Sequence, residues 1–230
     1  MDFLTVAIVL LFTMLLLKAV YKINNNEIKK IGNNNKKLDE IVSKYPSNYD
    51  ICRFILKKIN NEKVKVEEDN NYDSSVYIAI TDKIIIGNMR NSFTRIQTIC
   101  HECLHSIQDR RVLILNFIFS NIYILYFVIV SILTLFGKIQ NKMMFLELYI
   151  FLGYVYFFIR SYLENDAMIK ARFLAKEYME EQNLSTKEEI QEIVKEYDKL
   201  NLLGIKAINF KLFSSTIIKT IFLSLIMMLR

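Results

Sequence analysis

Residues Thr94 to Asp109 read TRIQTICHECLHSIQD, and inside them His101-Glu102-Cys103-Leu104-His105 carries the H-E-x-x-H pattern. On a helix, residues four apart share a face, so both imidazoles can reach a single cation. Glu102 lies one step round that face, where a carboxylate can take a proton from metal-bound water. The chain has only two histidines, and both are here. Two randomly placed histidines would fall four apart, with a glutamate after the first, roughly once in two thousand such chains. The plainer reading is a surface helix that happens to carry two His, and the rest of the stretch argues against it. At about 100° per residue, Thr94, Gln97, Thr98, His101, His105 and Gln108 form a polar stripe. Ile96, Cys100, Cys103, Leu104 and Ile107 form an apolar stripe opposite. A buried active-site helix needs such an apolar back and a polar front bearing the pair.

Working outward, the 230 residues are 53% apolar, and the apolar residues gather in runs long enough to cross a bilayer. Phe3 to Tyr21, Val112 to Phe136 and Met143 to Ile159 are three such runs. Phe210 to Leu229 is a fourth, carrying Lys211 and Lys219, and is able either to span or to lie at the interface with its lysines snorkelling. The first run has Asp2 as the only charge ahead of it and no small-residue cleavage site after it, so it reads as a retained anchor and not a signal peptide. The chain then divides into an anchor (1–21), a polar half bearing the H-E-x-x-H helix (22–111), a transmembrane hairpin (112–160), a second polar half (161–208) and the C-terminal apolar helix (209–230). Lys22, Lys29, Lys30, Lys36, Lys37, Arg110 and Arg111 crowd segment 22–111, whereas the turn 137–142 holds only Lys138 and Lys142. The basic excess orients 22–111 and 160–208 towards the cytoplasm. The expected protein is a multi-pass helical bundle of the cell (plasma or inner) membrane with a small cytoplasmic α+β domain. Its net charge of +6 is an anchoring signal towards anionic lipid. No basic stripe interleaved with aromatics argues for nucleic acid.

Residues 22–46, with Asn24 to Asn26, Asn33 to Asn35 and many lysines, read as a juxtamembrane spacer or solvated helix. Pro46 stops it, and Ser47 caps a short helix to about Asn60 with Ile51, Phe54, Ile55 and Ile59 inward. Val64 to Val66, Val76 to Ile80 and Lys83 to Ile86 read as strands, the last two joined at Thr81-Asp82. A strand edge beside the helix either holds an extended peptide by main-chain hydrogen bonds or serves as an ordinary supporting hairpin. Cys100 and Cys103 form a C-x-x-C on the apolar stripe, which favours packing over thiolate ligation of zinc. Asn116, Ser120 and Asn121 are expected to face the bundle, and Glu147 to be an interfacial carboxylate.

Catalytic zinc sites use three protein ligands, and no third histidine exists, so a carboxylate or thiolate must complete the set. Where the third run re-enters the cytoplasm, Glu164 and Asp166 follow. They differ by about 200° on a helix, so only one can point at the metal. Glu164 is the favoured ligand, with Asp166 as its supporting partner or runner-up. Ala167, Ala171 and Ala175 give that helix a small-residue face for close approach. Ser185 and Glu188 form a capping box for a last polar helix, over Ile190 to Leu200, which ends at Gly204 and covers the site.

HECLHSIQ at 101–108, LENDA at 163–167, two apolar runs between them and the Tyr72-Asp73 turn resemble the YugP-type membrane zinc metallopeptidases of bacteria, distant relatives of the HtpX-type proteases. The resemblance covers the layout of most of the chain and is specific only in those short motifs. It implies a zincin-like (minigluzincin) domain, Zn2+ on His101, His105 and Glu164, and Glu102 as catalytic base. Cys103-Leu104 and Met168-Ile169-Lys170 depart from the family pattern. The expected activity is zinc-dependent hydrolysis of peptide bonds in peptides or membrane-protein segments, with Tyr162 and Arg160 as guesses for the oxyanion donor. A non-catalytic metal-binding scaffold or accessory subunit of a membrane complex is the alternative, against which an intact Glu102 counts.

Overall fold

A computed structural model describes residues 2–23, 35–72, 74–89 and 92–229. The first Asn triplet, Lys29, Lys30 and Asp73 lie outside the described residues. Among those described there are seven helices and one small sheet: α1 (Phe3–Val20), α2 (Lys36–Ser43), α3 (Asn48–Lys58), β1 (Lys65–Glu68), β2 (Val76–Ile78), β3 (Lys83–Ile86), α4 (Arg95–His105), α5 (Arg110–Leu135), α6 (Lys142–Gln182) and α7 (Lys187–Leu229). The chain packs as two units. Unit 1 comprises Met1–Ile23, Ile114–Tyr162 and Lys206–Arg230, and unit 2 comprises Asn24–Leu113 and Leu163–Ile205.

Four helices, α1, α5, α6 and α7, are long and apolar enough to cross a membrane. Two of them are longer than hydropathy suggested. The third apolar run and the helix bearing Glu164 form one 41-residue helix, α6. The last polar helix and the fourth run form one 43-residue helix, α7. Hydropathy changes along both, but no residue at either changeover breaks a backbone ladder. Gly204, read as a helix end, lies inside α7. A Cβ there would come 2.6 Å from Met168 Cε, so glycine lets α7 approach α6, offsetting its poor helix propensity. The helix break falls earlier, at Asn183, which adopts φ 51° just past α6. The capping box is one residue later than expected: Thr186 Oγ1 accepts from Glu189 N at 3.2 Å, and Glu189 Oε2 accepts from Thr186 N at 2.9 Å.

In unit 1, Tyr123, Val130, Leu146, Tyr149, Leu223 and Met227 form a buried core. The fourth apolar run therefore packs into the bundle, and Lys142 Nζ donates to Met227 O at 3.1 Å. Asn116 and Ser120 are half-buried, but Asn121 is exposed and satisfies its amide on Phe117 O at 2.7 Å. Glu147 is exposed.

In unit 2 the core runs through α2, α3, β3, α4 and the polar stretches of α6 and α7. The spacer reading fails at α2. Leu38, Ile41 and Val42 are buried there, and Asp39 Oδ1 accepts from Phe93 N at 2.7 Å. Ser47 caps α3 as expected, its Oγ accepting from Asp50 N. Its buried face is Ile51, Cys52, Ile55 and Leu56, while Phe54 is exposed and lies edge-on to Tyr178. The sheet has the order β1-β3-β2, with β1 parallel and β2 antiparallel to β3. β2 is shorter than expected, so the hairpin loop is residues 79–82 and not a two-residue turn. Asp82 holds it in the left-handed region at φ 48°, which a short polar side chain tolerates.

Candidate metal centre

Helix α4 is buried on almost every side. Ile96, Cys100 and Cys103 have no exposed surface, and Ile107, beyond the helix end, is 48% exposed. Arg95 anchors the N-terminal end. Its guanidinium donates to Val42 O and Tyr45 O at 2.9 Å, Pro46 O at 2.9 Å and Asn48 Oδ1 at 2.8 Å. These acceptors lie at the end of α2, in the link to α3 and at the first residue of α3. A cation in a helix's first turn opposes the helix dipole, and that mismatch was the one sequence signal that Arg95 has a partner elsewhere. Further along, Gln97 donates to buried Asn201 of α7, whose Nδ2 donates to Met168 O at 2.9 Å. Nothing in the sequence pointed to Asn201.

The small face of α6 allows close packing. Ala167, Ala171 and Ala175 have no exposed surface and share a core with Cys100 and Cys103. The result brings Glu164 to the two histidines. His101 Nε2 and His105 Nε2 lie 3.0 Å apart, and Glu164 Oε2 lies 3.4 Å from the first and 3.8 Å from the second. A tetrahedral cation with bonds of about 2.0–2.2 Å needs ligand atoms roughly 3.3–3.6 Å apart, and the three observed edges bracket that range. Two imidazoles and a carboxylate are a donor set for a first-row divalent cation. All three residues are buried or half-buried, so the set is not an accidental surface cluster.

Asp166 is not among the three. It binds Gln108 Nε2 at 3.2 Å and Lys170 Nζ at 2.6 Å. Gln108 links the two halves of the site. Its Nε2 also donates to Leu163 O at 2.8 Å, which turns its Oε1 towards His105 Nδ1, 2.8 Å away. An amide oxygen can only accept, so His105 carries its proton on Nδ1 and presents the Nε2 lone pair to the cation position.

Glu102 is buried, and burial pushes its carboxyl up, opposed by the neighbouring His101 and His105. Its Oε2 accepts from Tyr77 N at 2.6 Å. β2 is an edge strand, and Tyr77 directs this amide off the open side of the sheet, so the edge strand and the H-E-x-x-H glutamate are in direct contact. For His105, burial opposes protonation, but the neighbouring Glu164 and Glu102 carboxylates outweigh it and raise the ring's pKa. Cys52, Cys100 and Cys103 are free, with Cys52 Sγ 3.6 Å from Cys103 Sγ. Burial pushes the Cys100 and Cys103 thiols well up, and both belong to the apolar core of unit 2, not to the cluster of His101, His105 and Glu164. Tyr162 is 63% exposed and belongs to unit 1, as does Arg160, which lines a cavity there.

No protein-family profile, curated protein or solved structure matches the chain.

Proposed function

We propose that the protein is a zinc-dependent metallopeptidase of a cell membrane, with a zincin-like cytoplasmic domain formed by unit 2 and its apolar helices spanning the bilayer. The observation that carries this reading is the placement of Glu164 at 3.4 and 3.8 Å from two imidazoles whose intervening Glu102 is buried beside them. The H-E-x-x-H and LENDA motifs and their likeness to YugP-type peptidases support it. His101, His105 and Glu164 hold the metal, and Gln108 fixes the tautomer of His105. A divalent cation held by these three residues would act as a Lewis acid towards a carbonyl and would make water nucleophilic near neutral pH. Glu102 accepts the proton of the attacking water and delivers it to the leaving amine. An extended peptide lies along the edge of β2, where the Tyr77 amide is already held by Glu102. Substrates are peptides or membrane-protein segments that reach the cytoplasmic surface.

A second reading, a metal-dependent scaffold without catalysis, is favoured by one contact: Glu102 is already engaged by the Tyr77 amide, so it has structural work apart from chemistry. The two readings separate on the purified full chain and its Glu102→Gln variant, assayed for bound zinc and for cleavage of unfolded casein. Zinc in both with cleavage lost only in the variant supports the peptidase. Zinc in both with no cleavage by either supports the scaffold, and no zinc in either ends the metal reading.

A further inference from the structure

Unit 1 contains a cavity of about 390 Å³ walled by α5, α6 and α7. Its polar lining includes Asn116, Ser120, Tyr123, Arg160, Lys211 and Lys219, and no Asp or Glu is among the residues that line it. The lining follows helical spacing: 116, 120 and 123 along α5, and 211, 215 and 219 along α7. Lys211 is exposed and Lys219 half-buried, and eight residues of helix separate them by about 12 Å, so positive charge extends from the mouth inwards.

A lysine within an apolar bundle is costly unless something answers its charge. Lys219 Nζ donates to Ser215 Oγ at 2.7 Å and stands 5.4 Å over the Tyr123 ring centroid. A hydroxyl and a ring face orient the ammonium without neutralising it. The cavity's volume falls in the range that takes a small organic ligand, and Ile124 and Leu212 add apolar wall beside the cations. Basic pockets between apolar helices suit phosphorylated lipid headgroups.

We propose that this cavity binds the phosphate of an anionic phospholipid, held by Lys219 within and Lys211 at the mouth, with the start of an acyl chain against Ile124 and Leu212. The binding does not depend on the metal centre or on any peptidase activity. The purified full chain in zwitterionic detergent is titrated with phosphatidylglycerol, or with phosphatidylcholine of the same acyl chains, and adducts are read by native mass spectrometry. Phosphatidylglycerol is expected to bind preferentially, and Lys211→Gln/Lys219→Gln to weaken it about thirtyfold, the effect of two basic contacts. Displacement by excess inorganic phosphate identifies a soluble phosphate as an equally good source of the anion, whereas resistance to it identifies the lipid. Should the double variant lose helicity by circular dichroism, Ser120→Leu takes its place: it blocks the cavity with every charge intact and is expected to abolish the adduct. Equal binding of the two lipids by the native chain, or a phosphatidylglycerol preference that survives the variants, overturns the proposal.

Discussion

Both units hide ionisable side chains, and they do so with opposite logic. In unit 2 the buried groups carry both signs, with the Arg95 guanidinium on four oxygens, Glu164 against two imidazoles and Glu102 against a backbone amide. A set of that kind is largely compensated from within, and its geometry is what selects a small cation. In unit 1 the groups that line the cavity are basic or neutral, and Lys219 there is answered only by a hydroxyl and a ring face. A buried cluster of mixed sign specifies a ligand by shape, and a cluster of one sign specifies it first by charge.

The largest expected effect tests the mixed cluster. Glu102→Gln should lower casein cleavage about 10²- to 10⁴-fold, the usual contribution of a general base, with bound zinc retained. Removing a ligand, as in His101→Ala or Glu164→Ala, should instead lose the metal itself, measured by elemental analysis of the purified chain. Gln108→Ala leaves all three ligands in place and frees only the His105 ring. Metal affinity should then fall about 10- to 100-fold, the range for supporting partners of metal ligands, as read by competition with a chromophoric chelator.

Below these come effects on stability. Arg95→Met removes the guanidinium donor of four acceptors between the end of α2 and the start of α3 and should destabilise unit 2 by about 3 kcal/mol, seen as a lowered thermal midpoint in detergent. The smallest effect contrasts two glycines, one in each unit. A Cβ at Gly153 would meet Thr216 Cγ2 at 2.5 Å, and one at Gly204 would meet Met168 Cε at 2.6 Å. Thr216 is buried and β-branched, whereas the end of a methionine moves easily. Gly153→Ala should therefore cost about 1–3 kcal/mol, and Gly204→Ala should come close to neutral because alanine's helix propensity offsets the crowding. Equal costs at the two sites would remove the distinction.

The histidine pair was legible because it is short-range, whereas Glu164, 59 residues beyond His105, was read from the apolar hairpin that returns the chain to the same surface. His101 and His105 are four apart on one helix, and the 200° argument separated Glu164 from Asp166. The four apolar helices were legible from run length. What escaped was long-range or depended on the backbone. Hydropathy marks where a helix changes surroundings and not where it stops, so α6 and α7 were each read as two pieces. Asp39 and Asn201 bind partners more than 30 residues away, and no local pattern announces such a pairing; Arg95, set against its helix dipole, signals that it has a partner but not which one. The one-residue slip from Ser185 to Thr186 in the capping box arose because both positions offer a hydroxyl three residues before a glutamate.

The hydrogen bond from Tyr77 to Glu102 joins a three-residue strand to a side chain 25 positions later. Sliding β2 by one residue would swap which amide faces outward and leave the carboxylate without its donor. The hairpin loop at 79–82 sets that alignment, and Asp82 steadies it by accepting from the Tyr77 hydroxyl at 2.9 Å. The aim of the glutamate is thus written partly into a surface turn, and lengthening that turn by one residue would misdirect the carboxylate while leaving both histidines untouched.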